Sequence, residues 1–186
     1  QRRFTCQRAL VITGDGSSGV ADRLGGAGID VRELTARTLA AMGPGPLAKA
    51  LEGCDTLIYV AHEATRQAWD DREIAGALAA QASLFYRCFQ ALAPALEHSP
   101  MRVLVPVSQD GNFGAWPRTP VRSLGAFPAA WVRCLQQELP RCRFQLIDGG
   151  DLPWPEAIEQ RIDWVASQLE LGRAPFGMVT PTLVRV

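Results

Sequence analysis

Lysine is almost absent from this sequence of 186 residues, because Lys49 is the single lysine among 19 basic side chains. Tyrosine and histidine are nearly as scarce: the chain has two of each, Tyr59, Tyr86, His62 and His98. Neither tyrosine is followed by a lysine four residues later, which excludes any active site built on that pair. Two histidines so far apart, with no carboxylate cluster beside them, also predict no metal site.

An excess of charge of one sign and paired cysteine motifs are missing as well. The 19 basic residues are balanced by 19 acidic ones, and this argues against a nucleic-acid partner, since phosphate binding depends on clustered Lys and Arg. The five cysteines include no C-x-x-C pair, so neither a disulfide framework nor a zinc ribbon is indicated. We therefore expect a reduced, cytoplasmic setting.

Long uninterrupted apolar runs are absent too. The most apolar stretch, 74–96, is broken by Gln81, Arg87 and Gln90, which is typical of a buried helix and not of a membrane span. The first residues contain no apolar segment of the kind that a signal peptide carries, so no membrane partner is expected.

What is present is enough apolar sequence for one globular domain. Hydrophobic residues make up 47% of the chain, and its length suits a single domain spanning 1–186. The sequence begins without a methionine, which suggests a piece excised from a larger multidomain protein.

Apolar strands alternate with helical segments along the whole chain. The strands are predicted at 8–13, 29–34, 56–61, 101–108, 144–148 and 179–186, and the helices at 20–25, 47–52, 74–96, 124–139 and 155–171. A Gly-Pro-Gly-Pro breaker at 43–46 leaves room for only one helix between the second and third strands. This alternation predicts a doubly wound, mostly parallel α/β sheet in a three-layer α/β/α sandwich.

A glycine turn follows the first predicted strand. Gly14, Gly16 and Gly19 have the G-x-G-x-x-G spacing, and Glu33 lies 19 residues after the first glycine, close to the spacing of an acid that holds a ribose. These four residues are the candidate dinucleotide site. The alternative is that a tight strand-to-helix turn needs glycine for a positive φ whatever it binds, and that Glu33 is a solvated strand residue.

The order of elements and the glycine turn resemble the short-chain dehydrogenase/reductase superfamily. The segment Leu135-Gln136-Gln137-Glu138-Leu139 is similar to the stretch that follows the catalytic Tyr-x-x-x-Lys of that family, and this alignment puts Val121 at the tyrosine position and Gly125 at the lysine position. The family's catalytic serine then falls on Ser108. The resemblance implies a reductase fold that has lost its catalytic pair and retains only a vestigial serine.

Within that superfamily, the chain more closely resembles the ketoreductase regions of type I polyketide synthases and polyunsaturated-fatty-acid synthases. The similar features are the degenerate glycine turn, the shortened segment before the third strand, the segment 123–127 and the closing Leu183-Val184-Arg185. These regions include a truncated, non-catalytic Rossmann-like half that packs on the catalytic half, and some are inactive pseudo-ketoreductases. The resemblance implies an inert domain with no cofactor, whose partners are neighbouring synthase domains. It leaves open a nucleotide-binding protein that takes NADP, or an atypical reductase.

Two other groups of residues lie in predicted loops. His62 and Glu63 follow the third strand and could be combined with Ser108 in a hydrolase, but this serine lies outside G-x-S-x-G and the order of the three does not match that of α/β-hydrolases. Trp116 and Trp154 lie among glycines and prolines, and we expect them at a contact with a neighbouring domain.

Overall fold

A parallel β-sheet forms the centre of the molecule. The computed structural model describes residues 6–14, 19–60, 71–107, 127–148 and 184–185. The strands are β1 Arg8–Thr13, β2 Asp30–Thr35, β3 Thr56–Val60, β4 Arg102–Val107, β5 Arg143–Asp148 and β6 Val184–Arg185. The helices are α1 Val20–Gly26, α2 Ala36–Ala41, α3 Pro44–Leu51, α4 Asp71–Leu96 and α5 Phe127–Glu138.

The strands lie in the order β2-β1-β3-β4-β5-β6, and every pair of neighbours is parallel. All five residues of β3 are buried, as expected for a strand covered by helices on both faces of a parallel sheet. The predicted doubly wound α/β fold is therefore confirmed.

The two faces of the sheet are covered unequally in the described ranges. On one face, Val20 and Leu24 of α1 pack against alternate strand residues such as Val11 and Ile58. On the other face, α2, α3, α4 and α5 cover a larger core, in which the aromatic residues Tyr59, Phe85, Phe89 and Phe144 are buried. The helical spacing predicted for α4 is confirmed at Phe85 and Phe89.

The segment between β2 and β3 differs from the sequence prediction. Two helices, α2 and α3, occupy it where a single helix was expected, and the glycine-proline segment is no breaker. Pro44 lies at the start of α3, where a missing backbone N–H costs no helical hydrogen bond. The backbone N–H of Thr38 donates to the Thr35 hydroxyl at 3.1 Å and so caps α2. No strand lies in this segment, so β2 is the outermost strand on its side among the strands that the structure describes.

Pro106 lies where the sequence predicted, near the end of its strand. The pairing of β4 with β3 ends at the Ile58–Leu104 pair, whereas the pairing with β5 continues past Pro106 to Val107. Proline cannot donate to a ladder, so this early end of the β3–β4 pairing accommodates it.

None of the helices in the described ranges combines the length and the apolar character needed to cross a bilayer.

Candidate functional site

The carboxyl ends of β1 and β3 mark the candidate site. The chain runs from β1 outward to β2 and then returns to place β3 on the other side of β1. In doubly wound sheets, ligands bind in the crevice that this reversal opens beyond the strand ends. The described residues at these ends are Thr13, Gly14 and Val60.

The glycine turn lies at this edge, between β1 and α1. Gly14 directly follows β1, and Gly19 precedes α1 with a φ of 69°, in the left-handed region that favours glycine. The need for a positive φ thus accounts for Gly19 without any ligand. Gly16 lies outside the described residues. α1 has only seven residues and ends at Gly26, so few aligned peptide dipoles point toward this edge.

Glu33 lies inside β2 and not at its carboxyl end. Its backbone is paired with Val11, whereas the strand ends pair Thr13 with Thr35. At roughly 3.3 Å per residue, Glu33 is about 7 Å short of the edge. The Thr35 side chain, which does reach the edge, is engaged with Thr38, whose hydroxyl oxygen it contacts at 2.8 Å. The described residues therefore fit a bound dinucleotide only in part: Gly14 and Gly19 lie at the edge, but no acid of β2 stands at the ribose position.

Thr13 is the unusual residue at this edge. Its side chain is 1% exposed, and its hydroxyl makes no hydrogen bond within the described part of the chain. A buried hydroxyl without a partner costs about 1–3 kcal/mol of desolvation. Such a group can take its partner from a water molecule or from a ligand.

The two tyrosines and the lysine lie in three separate parts of the structure. Tyr59 is 2% exposed in the aromatic core, and burial raises the pKa of its phenol far above the ordinary value. Tyr86 lies on α4 and contacts Trp131 of α5, with ring centroids 5.6 Å apart. Lys49 is exposed on α3, just before the chain enters the amino end of β3, and its backbone carbonyl accepts a hydrogen bond from Arg32 at 3.0 Å. These environments provide no proton donor paired with a lysine at the carboxyl edge.

Several sequence-predicted positions fall outside the described residues. They are Gly16, His62, Glu63, Ser108, Trp116, Val121, Gly125 and Trp154. The roles predicted for them remain predictions, as does the cofactor role of Gly14, Gly19 and Glu33.

Four of the five cysteines are buried or half-buried and have the character of structural thiols, whereas Cys134 is exposed. Burial raises the pKa of Cys6 to about 11 and that of Cys88 to about 12, which keeps both protonated and unreactive near neutral pH. Cys6 packs on the α1 side of the sheet and Cys54 on the opposite side, so the two belong to separate clusters. No group of three metal-binding side chains occurs among the residues that the structure describes.

Sequence reasoning missed a polar cluster at the amino edge of the sheet. One carboxylate oxygen of Asp55 accepts the backbone N–H of Gln7 at 2.7 Å, and the other accepts the Thr56 hydroxyl at 2.6 Å. Arg102 of β4 is only 4% exposed; burial lowers its pKa, and the nearby Cys6 and Asp55 oppose that shift. The sequence signal was an aspartate directly before a buried strand. The cluster lies at the end of the sheet opposite to the candidate site.

Comparison with known proteins supports the fold alone. No family model and no curated protein matches this sequence. Among solved structures, an enoyl-acyl-carrier-protein reductase (NADH) from Aquifex aeolicus is similar at 14% identity, with a TM-score of 0.61 over 89% of this chain and 91% of the other.

Two further structures are similar to the same degree. A variant short-chain dehydrogenase/reductase from Serratia marcescens matches at 16% identity and a TM-score of 0.56, over 89% of this chain and 91% of the other. An oxidoreductase of the short-chain dehydrogenase/reductase type from Brucella ovis matches at 16% identity and a TM-score of 0.58, over 86% and 91%. The chain thus has a short-chain-reductase-like Rossmann fold.

Proposed function

We propose that this chain is a catalytically inert, ketoreductase-like domain of a polyketide or fatty-acid synthase, and that it holds a neighbouring domain in place. Its partners are then other domains of the same synthase, and it takes no cofactor. The proposal combines the short-chain-reductase fold with the loss of the residues that give this fold its chemistry.

The observation that carries the proposal is the placement of the only lysine and the two tyrosines. Carbonyl reduction in this fold uses a tyrosine hydroxyl as proton donor and a lysine that lowers its pKa. Lys49 precedes the amino end of β3, Tyr59 is sealed in the core, and Tyr86 is engaged with Trp131 on the outer helices. Because the whole sequence contains no other lysine or tyrosine, the chain has no second pair to offer.

The candidate edge also favours an inert role. Gly19 is explained by its own backbone conformation, α1 is short, and Glu33 stops short of the strand end. The loop tryptophans Trp116 and Trp154 are the predicted residues of a contact with a neighbouring domain. In this role the chain supports a neighbouring domain and adds no active site of its own.

The proposed inert role predicts that the chain has no reductase activity. We expect the purified chain to oxidise no NADPH above background with a β-ketoacyl thioester, and calorimetry to detect no saturable NADPH binding. A catalytically competent short-chain reductase assayed in parallel controls for substrate and cofactor quality. A micromolar dissociation constant for NADPH would overturn the inert reading. Turnover would instead favour an atypical reductase that uses His62 and Ser108.

The scaffolding role is tested by the surrounding coding sequence. We expect ketosynthase, carrier or reductase domains in the same reading frame, and we expect deletion of this segment to reduce the soluble yield of the adjacent domain. A free-standing reading frame would contradict the role in a synthase.

The buried hydroxyl of Thr13 favours a second candidate function, nucleotide binding without chemistry. Substitution of Thr13 by valine removes the unpartnered hydroxyl and keeps the shape of the side chain. If the site is inert, we expect the free energy of unfolding to rise by about 1 kcal/mol in urea titration, because a desolvation cost disappears. If a nucleotide supplies the partner, T13V should instead weaken the binding of NADP or AMP. A bulky residue at Gly16 should abolish that binding while the fold is kept, and unchanged affinity in both variants would contradict this second function.

A further inference from the structure

The outer edge of β2 carries backbone groups that are not paired within the described part of the chain. β2 is the outermost described strand on its side, and its inner edge pairs with β1 along its whole length. The backbone N–H of Asp30 donates inward, to the carbonyl of Gln7 at 3.0 Å. Because these directions alternate along a strand, the N–H and C=O groups of Val31 and Glu33 point outward. No hydrogen bond joins them to another described residue.

This edge lacks most of the features that protect edge strands. Such edges are commonly blocked by proline, lysine, a β-bulge or a covering element. β2 contains no proline or lysine, and its unbroken register with β1 excludes a bulge. Two of its three charged side chains are engaged within the chain. Asp30 pairs with Arg8 at 2.5 Å, and Arg32 donates to the carbonyls of Lys49 and Ala50 at the end of α3.

Glu33 is the charged residue of β2 that has no partner in the described ranges. Its side chain is exposed and forms no ion pair there. By the alternation of side chains it lies on the same face of the strand as Val31, which packs on the α1 side of the sheet. A strand added at this edge places one side chain directly opposite Glu33, with the two Cβ atoms about 5 Å apart. A basic side chain at that position supplies the opposite charge.

Apolar residues lie beside Glu33 on both faces of the strand. Val31 packs on the α1 side and Leu34 on the α4 side, and both are only half-buried, so part of each side chain stays at the surface. A β-branched residue opposite each of them would extend both apolar clusters. The edge thus fits an extended segment in which a basic residue lies between apolar ones.

A second copy of β2 fits this edge less well. In an antiparallel pair, outward-facing residues of one strand must lie opposite outward-facing residues of the other. The two registers with the longest overlap then place either Glu33 or Arg32 opposite its own copy. Like charges directly opposite each other are destabilising, so a segment of different sequence is favoured.

We propose that the outer edge of β2 binds an extended segment of a partner protein, which adds to the sheet as an antiparallel strand with a basic residue opposite Glu33. In this mode of recognition, backbone hydrogen bonds supply affinity and alternate side chains supply specificity. The antiparallel direction is chosen because its ladder is slightly more stable per residue. The inference does not depend on the inert role proposed above, since it uses only β2.

The test measures the binding of two short peptides to the full chain. The first contains Thr-Val-Arg-Thr-Val between glycines, with a fluorophore at its amino end and an amide at its carboxyl end, and the second has glutamate in place of arginine. We expect fluorescence anisotropy to show saturable binding of the arginine peptide and about tenfold weaker binding of the glutamate peptide. Glu33→Lys should reverse this preference, whereas Glu138→Lys on α5 should leave it unchanged.

Proline at position 31 tests the backbone contribution. Val31→Pro removes an N–H that faces outward and breaks no hydrogen bond to β1, so the fold should be kept, which circular dichroism checks. We expect V31P to weaken the arginine peptide about fivefold, the effect of one lost hydrogen bond. Val31→Ala keeps the N–H and controls for the lost side chain.

Several results would overturn the proposal. They are the absence of saturable binding of either peptide, equal affinity for the two peptides, an E33K variant that keeps the wild-type preference, and a folded V31P variant that binds as tightly as V31A. Analytical ultracentrifugation of the chain tests the remaining occupant. Self-association that V31P abolishes would assign the edge to a second copy and contradict the proposed partner.

Discussion

Substitution of Tyr59 by alanine is expected to lower the free energy of unfolding by about 3–5 kcal/mol, the usual cost of removing a large buried aromatic side chain. The Tyr59 ring contacts Phe85 edge to face, with centroids 4.9 Å apart, and contacts Phe89 at 5.7 Å. Phe89 in turn contacts Phe144 at 6.0 Å, so one aromatic cluster joins β3, α4 and β5. Urea titration followed by circular dichroism measures the loss.

Two matched variants serve as controls. One tests whether the loss comes from the ring of Tyr59 or from its hydroxyl, and the other tests whether removing an exposed tyrosine has the same effect. Tyr59→Phe keeps the ring and should cost no more than about 1.5 kcal/mol, the value of one hydrogen bond. Tyr86→Ala removes a tyrosine that is half exposed and should cost much less than Tyr59→Ala. If Y59A were as stable as Y86A, the aromatic cluster would not hold the sheet to α4, and the assignment of Tyr59 to the core would be wrong.

This result bears on function, because a catalytic tyrosine must reach its substrate. Tyr59 is sealed behind Phe85 and Phe89, and burial raises the pKa of its phenol, which makes it a poorer proton donor. Tyr86 lies on the far surface of α4. Both tyrosines are thus used for packing, in agreement with the inert role proposed above.

The long elements of the fold were predictable because their hydrophobic patterns are strong. β1 and β3 are continuous apolar runs, and α4 repeats its core residues every three or four positions. α2 was missed because six residues carry too short a pattern. Its position depends on the local hydrogen bond of the Thr35 cap and on the burial of Leu39, and that burial is set by tertiary packing.

The candidate site was less predictable than the fold. Residue spacing placed Glu33 near the ribose position, but spacing cannot show that β2 continues two residues further. Gly19 was expected either to bind phosphate or to satisfy a positive φ, and the structure shows the positive φ. Arg102 had no sequence signal of burial, since a single arginine at a strand start is usually solvated. Its burial follows from the central position of β4 between β3 and β5.

Asp55→Ala is expected to have the second largest effect, a loss of about 2–4 kcal/mol in the free energy of unfolding. The carboxylate accepts hydrogen bonds from the backbone of Gln7 and from the hydroxyl of Thr56, and Thr56 is fully buried. Alanine leaves these donors without that acceptor. It also removes the negative charge that favours the charged form of the buried Arg102. Urea titration at neutral pH measures the change.

Asparagine at position 55 separates the hydrogen bonds from the charge. Asp55→Asn keeps one oxygen acceptor near the Gln7 backbone or the Thr56 hydroxyl and removes the charge, so its cost should lie between zero and that of D55A. Glu138→Ala removes an exposed carboxylate and should change the free energy of unfolding by no more than about 0.5 kcal/mol. Equal costs for D55N and D55A would mean that the charge beside Arg102 carries the effect, whereas a D55A cost as small as that of E138A would contradict a structural role for this cluster.

The cluster lies at the amino edge, so D55A should lower stability without creating or removing any ligand affinity at the carboxyl edge. Calorimetry with NADPH, at a temperature where the variant is folded, checks that affinity.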